Sequence, residues 1–242
     1  MSGTVIRGGL RLSILAALAF LAGPPSVARA GEIYYVMIFG SESHPKQLRY
    51  THTWATFIKA TGEGNDPNAY TLEYNTISWL PASLEVKVFR PWPEPGVDLD
   101  LDQTLRAVYA KGESVTMWGP FIVGPRVYQK SLWVQSIIAS GAPRYRAISG
   151  PGNLLVSDCI HAVAAVDPDF GRGHYPLIRI GKPASRYIAR QIMTRTPAKG
   201  VEQERYDNSW LIPRFGLDRY PIEVVAPRRI PRRNCVLCLR PE

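Results

Sequence analysis

Apolar runs that are separated by glycine- and proline-rich breaks define the predicted elements of this chain. Residues 33–39 are β-prone and apolar without polar alternation, which predicts a buried central strand. Residues 51–60 and 71–80 predict two further strands, joined as a hairpin across a turn-rich loop. Shorter strand-like runs occur at residues 86–90, 114–118, 210–212 and 222–225. Most of the predicted strands therefore precede the helices.

Four amphipathic or capped segments predict helices. They lie at residues 100–111 and 125–140, immediately after Asp158, and at residues 183–195. Asp100 is a suitable N-cap for the first helix, and prolines open the second and the fourth. Strands that cluster early and are followed by helices are typical of an α+β domain rather than of a parallel α/β sheet.

Residues 1–30 have the pattern of a cleavable export signal. Arg7 and Arg11 form a basic start, and the apolar run 12–22 is shorter than the roughly 20 residues that a membrane-spanning helix needs. An Ala-Arg-Ala sequence follows, so we expect the mature chain to begin at Gly31. An uncleaved anchor is the alternative. Cleavage predicts an exported protein, periplasmic or extracellular, with no integral membrane span in what remains.

The chain is basic, with a formal net charge of +9. Arginines are concentrated in residues 227–242, which we predict to be a basic tail that follows a single domain over residues 31–226. Such a tail attracts polyanions, among them envelope polymers and nucleic acid, although it is equally consistent with a solvated segment. Export argues against nucleic acid as the partner.

Cys159 is the residue whose position is most suggestive of chemistry. It is the only cysteine in the predicted domain, and it follows Ser157 and Asp158, either of which can cap a helix. Free backbone N–H groups and the helix dipole favour a thiolate at such a position, and a thiolate attacks carbonyl carbon. The alternative is a small buried apolar residue, which is a common role for a free cysteine.

A nucleophilic thiol needs a base, and His52 is the better candidate. His161 lies two positions after Cys159, about 200° away around a helix, so it faces elsewhere. If the hairpin loop centres near Asn65 and Asp66, His52 lies opposite Trp79, and Asn75 shares a strand face with His52 and could orient its ring. A register shift of one residue would put Thr76 there instead.

The sequence contains no metal or cofactor signature. Its four histidines are dispersed without helical ligand spacing, and no acidic pair accompanies them. Cys235 and Cys238 form a two-residue-spaced pair with no second pair, which is insufficient for a zinc site. In an exported protein these two cysteines are candidates for a disulfide with each other or with another chain.

The order of these motifs resembles the circularly permuted NlpC-type papain-like proteins, the superfamily of lecithin retinol acyltransferase. The resemblance consists of a strand that begins His-x-Trp-Ala-x-Phe at His52, a later strand with the polar residue Asn75, and a helix that opens Asp-Cys-x-His around Cys159. It implies a permuted papain-like fold, an antiparallel sheet with a packed Cys-bearing helix and extra helices. It also implies Cys159 as nucleophile, His52 as base and Asn75 as the third residue.

The resemblance implies a cysteine peptidase, an amidase or an acyltransferase. The thiolate would attack an amide or ester carbonyl, and backbone N–H groups at the helix start would hold the oxyanion. Export favours an envelope substrate, such as an envelope peptide, peptidoglycan or an acylated molecule. The competing interpretation is a non-catalytic exported module that binds an envelope polymer through a basic, aromatic surface.

Overall fold

A computed structural model describes residues 31–63, 66–150, 152–167, 170, 179–195 and 207–225. The predicted export signal and the basic tail, including Cys235 and Cys238, lie outside the described residues. Among the described residues, no helix combines the length and the apolar character that crossing a membrane requires.

A five-stranded sheet forms the centre of the fold. Its strands are β1 (Gly31–Glu42), β2 (Thr51–Gly62), β3 (Thr71–Ile77), β6 (Ser114–Val123) and β9 (Ile222–Val225). They are arranged in the order β3-β2-β1-β6-β9, and all neighbours are antiparallel except β9, which runs parallel to β6. The apolar run that predicted a central strand lies within β1, whose residues 35–41 are buried.

A smaller four-stranded sheet adjoins the first. It contains β4 (Trp79–Pro81), β5 (Glu94–Asp98), β7 (Arg144–Tyr145) and β8 (Val156–Ser157), in the order β4-β5-β7-β8. Only Ser78 separates β3 from β4, so the single strand predicted over residues 71–80 is divided between the two sheets.

Five α-helices of the described residues pack around the larger sheet. They are α1 (Leu101–Ala110), α2 (Pro125–Ala139), α3 (Cys159–Ala164), α4 (Lys182–Arg195) and α5 (Leu211–Arg214). Asp100 and Gln103 form a reciprocal capping box at the start of α1, as the sequence pattern favours. Proline opens α2 at its first position, where its missing N–H has no cost.

The sheet is covered on both faces because side chains alternate along its strands. On β2, Trp54 and Ile58 pack into a core that includes α1, whereas Ala55 and Phe57 pack into a core formed with α2, α3 and α4. We call these sides the α1 face and the α4 face. The two cores give the molecule three layers, and each functional candidate lies on one face or the other.

The α+β class predicted from the sequence is confirmed. Two predicted strands are wrong, because residues 86–90 form an irregular connection and residues 210–212 enter α5. The sheet is also not purely antiparallel, because the chain returns to add β9 alongside β6.

Candidate functional site

Cys159 is the first residue of α3, and Asp158 caps the helix by accepting a hydrogen bond from the backbone N–H of His161 (2.8 Å). The cysteine is only 8% exposed. Burial and the Asp158 carboxylate raise the pKa of the thiol to about 12, although backbone N–H groups of Thr53, Cys159 and Ile160 act in the opposite direction. The thiol is therefore protonated at neutral pH, unlike the thiolate that the helix start alone predicts.

His52 lies on β2 and points to the α1 face. Its Nε2 is 2.9 Å from Ser78 Oγ, which also accepts a hydrogen bond from Thr104 of α1 (2.7 Å). The imidazole stacks on Trp54, with 5.3 Å between ring centroids. Burial, and secondarily the charge of Lys111, lowers the pKa of His52 to about 3, so the ring is neutral near pH 7.

The register predicted between β2 and β3 is wrong by one residue. The observed ladder pairs Phe57 with Asn75 and Thr56 with Thr76. His52 and Thr56 share a strand face, whereas Phe57 points to the other, so Asn75 lies on the face opposite His52. A slip of one residue reverses the side to which every side chain of a strand points. Thr76 takes the face that the prediction gave to Asn75.

The structure does not bring the three predicted catalytic side chains together. Asn75 Nδ2 donates to Ser131 Oγ on α2 (3.0 Å), on the α4 face. Helix α3 packs in the core of this face, and the backbone N–H of Thr53 on β2 is directed at the Cys159 sulfur. The described structure shows no hydrogen bond between His52 and Cys159, because the imidazole Nε2 is bonded to Ser78 and Nδ1 has no partner there.

A buried polar cluster beside Cys159 was not predicted as a unit. Ser149 Oγ donates to Asp158 Oδ2 (2.7 Å), and His161 Nδ1 lies 2.8 Å from the same oxygen. All three side chains are at most 3% exposed, and His161 Nε2 has no hydrogen-bond partner. The sequence did contain a signal for this cluster. Asp158 and His161 are three residues apart, which places the first at the cap of the helix and the second in its first turn. The cluster fastens the loop before α3 to the start of that helix.

An opening with charged walls lies between α4 and the β6–β9 edge of the sheet. We call it the basic cleft; its volume is about 490 Å³. Its charged and aromatic lining residues include Arg179, Lys182, Arg186, Arg190, Trp118 and Glu223. Sequence reasoning missed this site because it assigned the helix after Pro183 no role.

Helical spacing explains why the cations lie together. Lys182, Arg186 and Arg190 follow one another at intervals of four residues, so they share one face of α4 over about 12 Å. Arg179 lies over the ring of Tyr187, with its guanidinium carbon 4.2 Å from the centroid. The spacing was present in the sequence, although it could equally have indicated a solvated helix face.

Two of these cations have no carboxylate partner among the described residues. Among the described residues, neither Lys182 nor Arg186 forms an ion pair with a carboxylate, and Glu42, which also lines the cleft, is paired with Lys46 (2.9 Å). Four cations and two carboxylates of the described residues line the cleft, so this part of its wall has a positive net charge. Such an arrangement attracts and orients an anion.

No cluster in the described ranges suggests a metal centre, since no group of three or more His, Cys, Asp or Glu side chains there could hold an ion. Comparisons of the chain with protein-family models, with curated proteins and with solved structures found no match.

Proposed function

We propose that this protein is a binding module that holds an anionic ligand in the basic cleft. The observation that supports the proposal is the row of cations on one face of α4, of which Lys182 and Arg186 have no carboxylate partner among the described residues. Arginine suits this role because its planar guanidinium donates two parallel hydrogen bonds to phosphate or carboxylate.

The size and position of the basic cleft favour a small ligand or a short stretch of polymer. Its volume of about 490 Å³ falls in the range typical of ligand sites. The export signal predicted over residues 1–30 would bring the cleft into contact with anionic envelope polymers. This corresponds to the binding-module interpretation of the sequence, with the contact surface now assigned to α4 and β9.

The proposal predicts that Arg186→Ala weakens binding of inorganic phosphate by about tenfold, which equals about 1.4 kcal/mol. Arg186 is exposed, so its removal takes away a charge-assisted contact without opening the core. Isothermal titration calorimetry at low ionic strength is the measurement, because salt screens such contacts. Arg126→Ala on α2 is the matched control, since Arg126 is also exposed and does not line the cleft. Equal affinities for all three proteins would refute the proposal.

A second proposal retains the thiol hydrolase of permuted papain-like fold. One observation favours it: Cys159 opens α3, and three backbone N–H groups are directed at its sulfur. Catalysis would require a base that bonds to the sulfur, whereas His52 Nε2 is bonded to Ser78 and the pKa of His52 is lowered to about 3 by burial. We therefore rank this activity below ligand binding.

Labelling with iodoacetamide separates the two proposals. If the pKa of the Cys159 thiol is about 12, the folded protein resists labelling at pH 7 and reacts only after unfolding in denaturant. To isolate this thiol, the experiment uses a chain with Cys235→Ser and Cys238→Ser, and the same chain with Cys159→Ala as blank. Rapid labelling of the folded protein at pH 7 would instead support an activated nucleophile. Cys159→Ala would then abolish any hydrolysis.

A further inference from the structure

The side of the basic cleft opposite α4 is acidic. Glu223 of β9 lines the cleft, and Thr116 of β6 donates a hydrogen bond to its Oε2 (2.7 Å). The register of the parallel pair places these residues side by side, Thr116 with Glu223 and Trp118 with Val225. The Thr116 hydroxyl therefore fixes one carboxylate oxygen, while the second oxygen is left for other partners.

The carboxylate and the cations line one cleft without neutralising each other. Glu223 forms no ion pair with a cation in the part of the chain that the structure describes, although Lys182 and Arg186 line the same opening. Glu42 differs, because Lys46 pairs with it. Within the described residues, Lys182 and Arg186 on one side of the cleft and Glu223 on the other therefore present two complementary charges to one ligand.

We propose that the ligand of the basic cleft bears an ammonium group next to its phosphate, as in a phosphate ester of an amino alcohol. The phosphate contacts Lys182 and Arg186 on α4, and the ammonium group contacts Glu223. Trp118 lines the cleft on the Glu223 side, where an aromatic ring and a carboxylate both attract an ammonium ion. This inference rests on the proposed anion-binding function and adds the second charge of the ligand.

Two matched probes test the ammonium contact. Phosphoethanolamine and ethyl phosphate have the same phosphate ester and the same two-carbon chain, and only the first has an ammonium group. We expect the protein to bind phosphoethanolamine about tenfold more tightly than ethyl phosphate, a ratio equal to about 1.4 kcal/mol. Calorimetric titration of both probes at the same ionic strength measures this ratio.

Two variants locate each charge. Glu223→Gln keeps the shape and an oxygen that accepts from Thr116, so we expect it to reduce the preference for phosphoethanolamine to about one while ethyl phosphate binds at least as tightly as before. Arg186→Gln should weaken the binding of both probes by a similar factor. The two variants therefore alter selectivity and affinity separately.

The outcomes distinguish failure of this inference from failure of the anion-binding proposal. If wild-type protein binds neither probe, or Arg186→Gln changes neither affinity, anion binding at the cleft is overturned. If the two probes bind equally and Glu223→Gln tightens both alike, the cleft binds anions but Glu223 is only a counter-charge, and the inference fails. If the protein co-sediments with phosphatidylethanolamine vesicles and Glu223→Gln abolishes this, the ligand of the cleft is a lipid headgroup. If the protein binds only free phosphoethanolamine, the ligand is a soluble molecule.

Discussion

At the scale of single residues, the pKa values of the two titratable side chains beside Ser78 are shifted in opposite directions. His52 Nε2 lies 2.9 Å from Ser78 Oγ, and Asp98 Oδ1 accepts a hydrogen bond from the Ser78 backbone N–H (2.7 Å). Burial lowers the pKa of His52 to about 3, and burial raises the pKa of Asp98 to about 7 despite that hydrogen bond. Both shifts favour the neutral form, so Ser78 joins two uncharged partners in slightly acidic solution.

These shifts have opposite consequences for stability. The unfolded chain protonates His52 below its ordinary pKa of about 6.5 while the folded chain does not, so the His52 contribution is lost as pH falls. Asp98 takes up its proton near pH 7 when folded but near pH 3.8 when unfolded, so its contribution is gained as pH falls. Between about pH 4 and 6.5 the two effects offset each other in the wild-type protein.

Single substitutions should expose each effect. Between pH 7 and pH 5, the free energy of unfolding of His52→Gln should rise relative to that of wild type, and that of Asp98→Asn should fall, each by about 2 kcal/mol. Urea denaturation at the two pH values measures this, and each variant is compared with wild type at the same pH, which cancels the other titrating groups. Parallel pH profiles for the three proteins would contradict the assigned shifts.

At the scale of elements, two aspartates begin helices in different surroundings. Asp100 caps α1 in an exposed position, with Gln103 completing the capping box. Asp158 caps α3 but also bonds to the buried Ser149 and His161. The first aspartate satisfies only backbone groups that water could also reach, whereas the second is the partner of side chains that have no access to solvent.

Removing the two capping side chains should therefore lower the free energy of unfolding by different amounts. Asp100→Ala should lower the free energy of unfolding by about 1 kcal/mol, the usual value for a cap. Asp158→Ala should lower it by about 3 kcal/mol, because it also leaves buried polar atoms without partners. Chemical denaturation of both variants gives the comparison, with Asp100→Ala as the control for capping alone. An equal cost at the two positions would mean that the Ser149–His161 cluster contributes nothing.

The sequence predicted correctly those elements whose signals lie in neighbouring residues. β1, α1 and α2 follow from contiguous patterns, an apolar run in one case and caps with apolar spacing in the others. The β2–β3 register was wrong because it depends on how the chain turns between the strands, where a 3-10 turn at Pro67–Ala69 lies just before β3. One residue of difference was enough to send Asn75 to the other face.

The candidate site depended on pairing that no local pattern encodes. The cations of α4 were visible as residues spaced by four, but the cleft exists only because β9 returns to lie parallel to β6 and brings Glu223 opposite them. Cys159 was placed correctly at the start of a helix. Its protonation state was not, because burial of the thiol against β2 outweighs the helix start.

At the scale of the whole molecule, the cleavage site predicted from the sequence lies directly before the central strand β1. β1 begins at Gly31, which pairs with Gly62 at the end of β2. Cleavage after Ala30 would therefore leave residues Gly31–Glu42 of β1 in the mature chain. A cut a few residues later would remove backbone partners from β2 and shorten the strand on which both cores are built.

We expect the exported protein to begin at Gly31. The basic start, the short apolar run and the Ala-Arg-Ala sequence before this residue favour removal of the first segment. N-terminal sequencing or intact mass of protein recovered from outside the cytoplasm measures the boundary. Ala30→Phe is the control, because a bulky side chain at the last position before the cut should block processing and leave the longer chain. Exported protein that still begins at Met1 or Ser2 would contradict cleavage, and β1 would then be tethered to an uncleaved anchor.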